Sequence, residues 1–262
     1  MKTFLERVML FFVFSSISIV GIAQETDWTD IPVTSSSQKA LELYKTGSIA
    51  MFDVNMNKAS DCFKKANELE PNFIMPNVLL ATYYFYLKDM VKFKEFANKV
   101  LASTYNLNES EILIQKAIKR LLDDPNANVT EFGEKLVKLN PKSVYAYQML
   151  ATYQGFAKDY DGQNKTYQAM LQLTKDQAPI YNSLGYNYME LNKIDEAWTS
   201  FEKYIAAAPK NPNAYDSMGD YYVKTKDYKK AHAYFSKAYR MDTINFKFSN
   251  EKANKLESEL GY

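Results

Sequence analysis

Ala178 to Pro209 reads APIYNSLGYNYMELNKIDEAWTSFEKYIAAAP, and Pro212 to Asp242 reads PNAYDSMGDYYVKTKDYKKAHAYFSKAYRMD. Tyr181 aligns with Tyr215, Gly185 with Gly219, Tyr188 with Tyr222, Ala197 with Ala231 and Phe201 with Phe235, always at an offset of 34. Within the first stretch, Tyr181, Leu184, Tyr188 and Leu191 share one face of an α-helix. Asn192-Lys193 turns the chain. Ala197, Phe201 and Tyr204 then form the inner face of a second helix, which Pro209 stops because proline lacks the backbone donor and restricts the residue before it. Gly185 and Ala197 are small where the two helices cross, and Phe201 fills the remaining space.

The period extends in both directions. A unit from Val144 carries Tyr147, Leu150, Ala151 and Tyr167, and one from Ser110 carries Leu113, Ala117, Leu136 and Pro141. Further back, Ala40 opens a unit with Gly47, Ala59, Phe63, Ala66 and Pro71, and Ile74 opens one with Leu80, Ala81, Tyr84 and Ala97. The frame slips once, around 107–109. The unit from Ser110 departs most, with Lys116, Arg120 and Gly133 at positions that are apolar or aromatic elsewhere. This pattern resembles the tetratricopeptide repeat family: aromatic at position 4, Leu at 7, small at 8, Tyr at 11, Ala at 20, aromatic at 24, Ala at 27 and Pro at 32. The resemblance implies an all-α, right-handed α-solenoid of six helix-turn-helix units over 40–245 (40–73, 74–107, 110–143, 144–177, 178–211 and 212–245). Each pair leaves an apolar side for its neighbour to cover. Residues 246–262, with Phe248, Ala253, Leu256 and Leu260 as an apolar stripe, are expected to cap the last pair.

The chain has 262 residues with only 8 Gly and 8 Pro, too few turn-formers for a many-stranded sandwich or barrel. A hydrophobic share of 47% and a net charge of +1 describe a folded chain with no electrostatic case for nucleic acid. At the start, Lys2 and Arg7 precede an apolar run, Val8 to Val20, and the small residues Gly21 and Ala23, the layout of a secretory signal peptide cut after Ala23. Export is therefore expected, to a periplasm or beyond, with no membrane span left after cleavage. Removing those 23 residues leaves 239 with no net charge. Residues 24–39 lack periodicity and read as a linker ending in helix-capping serines; Trp28 within it has no role in this reading. Cys62, the single cysteine, cannot form an intramolecular disulfide and reads as a small helical core residue.

Catalytic, cofactor and metal motifs are not found: no GxGxxG, GxxxxGK, HExxH or GxSxG occurs. His232 reads as a solvent-facing helical histidine. Asp159-Tyr160-Asp161-Gly162 lacks a calcium loop's ligand spacing, and it aligns with Lys226-Asp227-Tyr228 and Lys88-Asp89-Met90 as the turn inside a unit. Three Asn-x-Ser/Thr triplets, at Asn108, Asn128 and Asn164, would matter only in a glycosylating cell.

In the family the chain resembles, the first helix of each pair lines a concave groove. The matching positions put Tyr44, Phe52, Phe85, Tyr86, Gln148, Thr152, Phe156, Asn182, Tyr186 and Asp216 there as candidate partner-binding residues, since aromatics are rigid contact anchors. The lysine clamp that family members use for acidic tails is missing, because position 5 is never basic. The expected function is a non-catalytic protein-protein interaction scaffold of a bacterial cell envelope that binds a protein or peptide without cofactor or metal. The alternative is a glycan- or small-ligand-binding envelope component. An enzyme using Asp216 and Asp220 is a third reading, with no other catalytic residue type beside them.

Overall fold

A computed structural model of the chain describes residues 31–52 and 56–260. The expected leader, Trp28 and most of the expected linker lie outside them. The described residues form thirteen α-helices and no strand. Units one and two give α1 (Gln38–Phe52), α2 (Met56–Leu69), α3 (Ile74–Tyr86) and α4 (Met90–Leu101). Units three and four give α5 (Glu109–Asp123), α6 (Thr130–Leu139), α7 (Val144–Phe156) and α8 (Tyr160–Met170). Units five and six give α9 (Ala178–Glu190), α10 (Ile194–Ala207), α11 (Pro212–Lys224) and α12 (Tyr228–Met241), and α13 (Lys247–Leu260) follows. The architecture is the expected all-α repeat solenoid. First helices touch first helices, α3 with α5 and α9 with α11, and no pair of second helices is in comparable contact. The first helices therefore lie on the shorter, inner arc.

The turn within a unit is built from two residues with separate duties. Lys88, Lys158, Asn192 and Lys226 have φ between 56° and 63°, the left-handed conformation that ends a helix. Around Lys88, the Lys88 N–H donates to Phe85 O and the Asp89 N–H to Tyr84 O, both at 3.0 Å, the paired bonds of a Schellman motif. The same two bonds recur after α7, α9 and α11. The next residue caps the second helix: Asp89, Asp159 and Asp227 accept from the backbone of Lys92, Gly162 and Lys230 at 3.1, 2.9 and 3.2 Å. Asp159 is thus a helix cap, as its alignment with the other turns implies.

At the crossing of each pair, size is set by the facing ring. A Cβ on Gly47 would lie 2.6 Å from Phe63 Cε1, and one on Gly185 would lie 2.5 Å from Phe201 Cε1. Gly219 faces Phe235 in the same way. Unit two exchanges the volumes, with Phe93 and Ala97 both buried.

Unit three breaks the scheme. Its helices are joined by a longer connection, 124–129, and α6 packs more extensively on α7 than on α5. Gly133, at the aromatic position, allows this: a Cβ there would sit 2.7 Å from Leu150 Cα. Arg120, another departure, stays outside over the Phe132 ring and pairs with Glu131.

The N-terminal end differs from the expectation. Gln38 and Lys39 belong to α1, and residues 31–37 are a docked strap rather than a loose linker. Ile31 is buried, the Thr34 N–H donates to Glu111 Oε1 at 2.7 Å, and the Thr34 hydroxyl donates to Glu111 Oε2 at 2.5 Å. Ser35 and Ser36 donate to Glu70. Asn108 caps α5 in a capping box with Glu111 and donates to Pro32 O, so this triplet's amide is engaged. At the other end α13 starts one residue into the next 34-residue frame, with Ala253 at the small crossing position. It covers the last pair as the expected cap, packed by Ala253 and Leu256 on Ala231 and Phe235. His232 is not simply solvent-facing: its Nε2 lies 2.7 Å from Glu257 Oε1 on α13. Cys62 is buried and free, and its burial pushes the thiol pKa up.

Candidate partner-binding faces

Nine of the ten groove residues separate into two groups. Phe85, Tyr86 and Phe156 keep part of their surface open. Tyr44, Gln148, Thr152, Asn182, Tyr186 and Asp216 are all buried, so they do not present the open groove surface expected of them. Tyr44 packs on Phe63 and Phe73, Tyr186 packs on Phe201, and Asp216 is covered by Ser249 and Lys252 of α13. Phe52 closes α1, and its side chain lies outside the described set.

The open group converges on one place. Phe85 on α3 and Phe156 on α7 meet with ring centroids 4.7 Å apart, across the whole of unit three. Phe85 also packs on Phe93 at 4.9 Å, and Phe156 on Tyr153 at 6.3 Å. Tyr86 stands by Tyr167, whose hydroxyl pKa is pushed up by burial and by that neighbour. The opened pair α5–α6 thus draws units two and four together. The inner arc narrows to an aromatic junction there.

The buried group ends in a charged knot at the C-terminal end. Tyr186 donates its hydroxyl to Asp220 Oδ2 at 2.9 Å, and Ser249 donates to Asp216 Oδ1 at 2.7 Å. Lys252 of α13 donates to Asp216 Oδ2 at 2.9 Å and to Asp220 Oδ1 at 2.8 Å. Burial pushes Asp220 up to about 6; Lys252 opposes the rise and Asp216 adds to it. Burial also works against the charge on Lys252, but the two carboxylates outweigh it and hold its pKa above the ordinary value. Tyr186 is pushed well up, first by burial and then by the two carboxylates. Every carboxylate oxygen of the pair therefore has a donor in the chain, and one ammonium sits between two acids. Such a knot fixes α13 in register. It offers a substrate no free group.

Sequence reasoning missed Lys252 and Ser249 because it treated 246–262 as a generic cap. The signal was present: a lysine at position 7 of the next frame, where most units have Leu or Met. It also passed over Trp198, an exposed tryptophan off the apolar stripe of α10. Among the described residues no group of three or more His, Cys, Asp or Glu is placed to hold a metal ion, and no described helix is long and apolar enough to cross a membrane.

Comparison with known proteins agrees with this geometry. Residues 178–211 and 212–245 each match the family model of the tetratricopeptide repeat. The chain is 20% identical over 189 residues to anaphase-promoting complex subunit 3 of Schizosaccharomyces pombe, covering 72% of this chain and 28% of that protein. It is 24% identical over 224 residues to the general transcriptional corepressor ssn6 of the same organism, covering 84% of this chain and 18% of that protein. It thus spans less than a third of the length of either relative. Among solved structures, a thermophilic TPR protein of Thermus thermophilus superposes with a TM-score of 0.51 at 14% identity, over 83% of this chain and 98% of that one. Residues 178–245 thus carry two tetratricopeptide repeat matches, within a chain that is an all-α repeat solenoid over its described length.

Proposed function

We propose that the protein is a non-catalytic interaction scaffold of a bacterial cell envelope, which holds an extended segment of a partner protein against the aromatic junction of its inner arc. The observation that carries this reading is the convergence of Phe85, Tyr86 and Phe156, partly open, at the point where units two and four meet. Rigid rings of this kind anchor peptide segments with little loss of side-chain freedom. The two relatives, a subunit of the anaphase-promoting complex and a general transcriptional corepressor, support a role among other proteins. The leader-like residues 1–23 support export.

A photo-crosslinking residue at Tyr86, used in cells and read by mass spectrometry, tests the site. The expected result is one discrete crosslinked partner, lost when Phe85→Ala and Phe156→Ala are combined in a chain that still folds. Crosslinks that persist in that double variant would refute the site. Location is tested separately by fractionation and by sequencing the mature N-terminus, expected at Gln24.

A further inference from the structure

On the outer face, a furrow of about 670 Å³ runs between α10 and α12, with α11 as its floor. It is lined by Asp195 and Trp198 from α10, Tyr221 and Tyr222 from α11, and Asp227 and Lys230 at the start of α12. Trp198 is 43% exposed, although the buried stripe of α10 is supplied by Ala197, Phe201 and Tyr204. The indole is therefore not needed to fill the core. Asp195 lies three residues before it, on the same helix face.

The chain shows in two places what such a combination binds. Lys230 lies 5.0 Å over the Tyr222 ring and 2.9 Å from Asp227 Oδ2. Lys92 lies 4.8 Å over the Tyr84 ring and 3.9 Å from Asp89 Oδ2. Each is a ring and a carboxylate closed by a lysine at the same repeat position. In unit five the carboxylate and lysine positions hold Lys193 and Glu196 instead, and Asp195 and Trp198 stand beside them at other positions of α10. The carboxylate of Asp195 makes no hydrogen bond or ion pair among the described residues, yet its charge is felt at Tyr221, whose pKa is pushed up by burial, by Tyr222 and by Asp195 against the opposing charge of Lys230. Asp195, Trp198 and Tyr221 thus bring a carboxylate and two rings to the furrow, whose own cation, Lys230, is engaged by Asp227 and Tyr222. Trp is the ring that attracts cations best, and a guanidinium can stack on it while pairing with a carboxylate.

We propose that this furrow is a second binding site, which takes an arginine or lysine side chain of an extended partner segment between Trp198 and Asp195. It lies on the outer face, so its failure would leave the inner-arc reading untouched.

The test uses the Trp28→Phe chain, in which Trp198 is the single tryptophan. Its fluorescence is titrated with the peptide acetyl-Ser-Gly-Arg-Gly-Ser-amide, and with the same peptide carrying Gln in place of Arg. The arginine peptide is expected to change Trp198 emission saturably. The affinity is expected to weaken about fivefold in Asp195→Asn, the size of a cation–π or exposed ion-pair contribution, and to weaken further in high salt. Circular dichroism shows whether the variant is folded. The proposal is overturned if the glutamine peptide acts equally, if folded Asp195→Asn keeps full affinity, or if the arginine peptide has no effect up to its solubility limit. A saturable response to chitotetraose alone would also overturn it, in favour of a neutral sugar site.

Discussion

Lys88, Lys158 and Lys226 hold a backbone conformation that disfavours any side chain with a Cβ. Glycine at each should therefore raise the stability of the chain, by about 1 kcal/mol per site, measured by urea unfolding. Gly185→Ala should act in the opposite sense, costing about 1–3 kcal/mol because its Cβ would press on Phe201. The sequence showed the second of these positions directly, since a glycine and a phenylalanine recur at fixed repeat positions. It showed the first only as a turn, because lysine carries no hint of left-handed backbone. Asp220 provides a pH test. Its folded-state pKa, about 6, lies above that of an exposed aspartate. Its contribution to stability is therefore fully present at low pH and is lost as pH rises through about 6. Between pH 4 and pH 7, wild type should lose stability relative to Asp220→Asn, on the order of 2–3 kcal/mol, seen as a changing difference in Tm.

The two ends are tied down by elements the repeat pattern does not contain. Lys252→Ala would leave Asp216 and Asp220 facing each other in a buried site, at a cost of about 3–5 kcal/mol. Hydrogen exchange should show α13 losing protection first in that variant. At the other end, Glu111 accepts from Thr34 and closes the capping box of α5. Thr34→Ala removes the hydroxyl's contact with Glu111 and spares the box, whereas Glu111→Ala removes the box and both strap contacts. Both variants should expose residues 31–37 to limited proteolysis, with Glu111→Ala losing about 1–3 kcal/mol more than Thr34→Ala. The serines before α1 were legible as polar capping residues. The partners of the strap, Glu70 for Ser35 and Ser36 and Glu111 for Thr34, were not, because they lie 34 to 77 residues away.

At the scale of the molecule, the buried core is continuous from Ile31 to Leu184, whereas the C-terminal units are held by smaller clusters around Phe201, Tyr204, Phe235 and Phe246. A solenoid whose units contact only neighbours unfolds in segments when one interface is weak. Hydrogen exchange in mild denaturant should therefore find α10–α13 opening before α1–α8, with α9 at the border between them. A single protection level across both would contradict it. The most irregular sequence unit, 110–143, proves to have the largest consequence for shape. Its opened helix pair lets Phe85 reach Phe156, and that contact decides which inner-arc rings remain open.

What the sequence by itself determined is local: the 34-residue period, the helix pairs, their turns and the glycine–phenylalanine crossings. Each of these is settled within one unit or between adjacent ones, where spacing and side-chain size are sufficient. The tertiary structure alone decided which inner-arc residues are open, where the strap and α13 dock, and that Trp198 borders a furrow. These depend on how closely successive first helices approach and on pairs separated by 32 to 77 residues. A period records what every unit shares, whereas curvature and long-range docking arise from what individual units do differently.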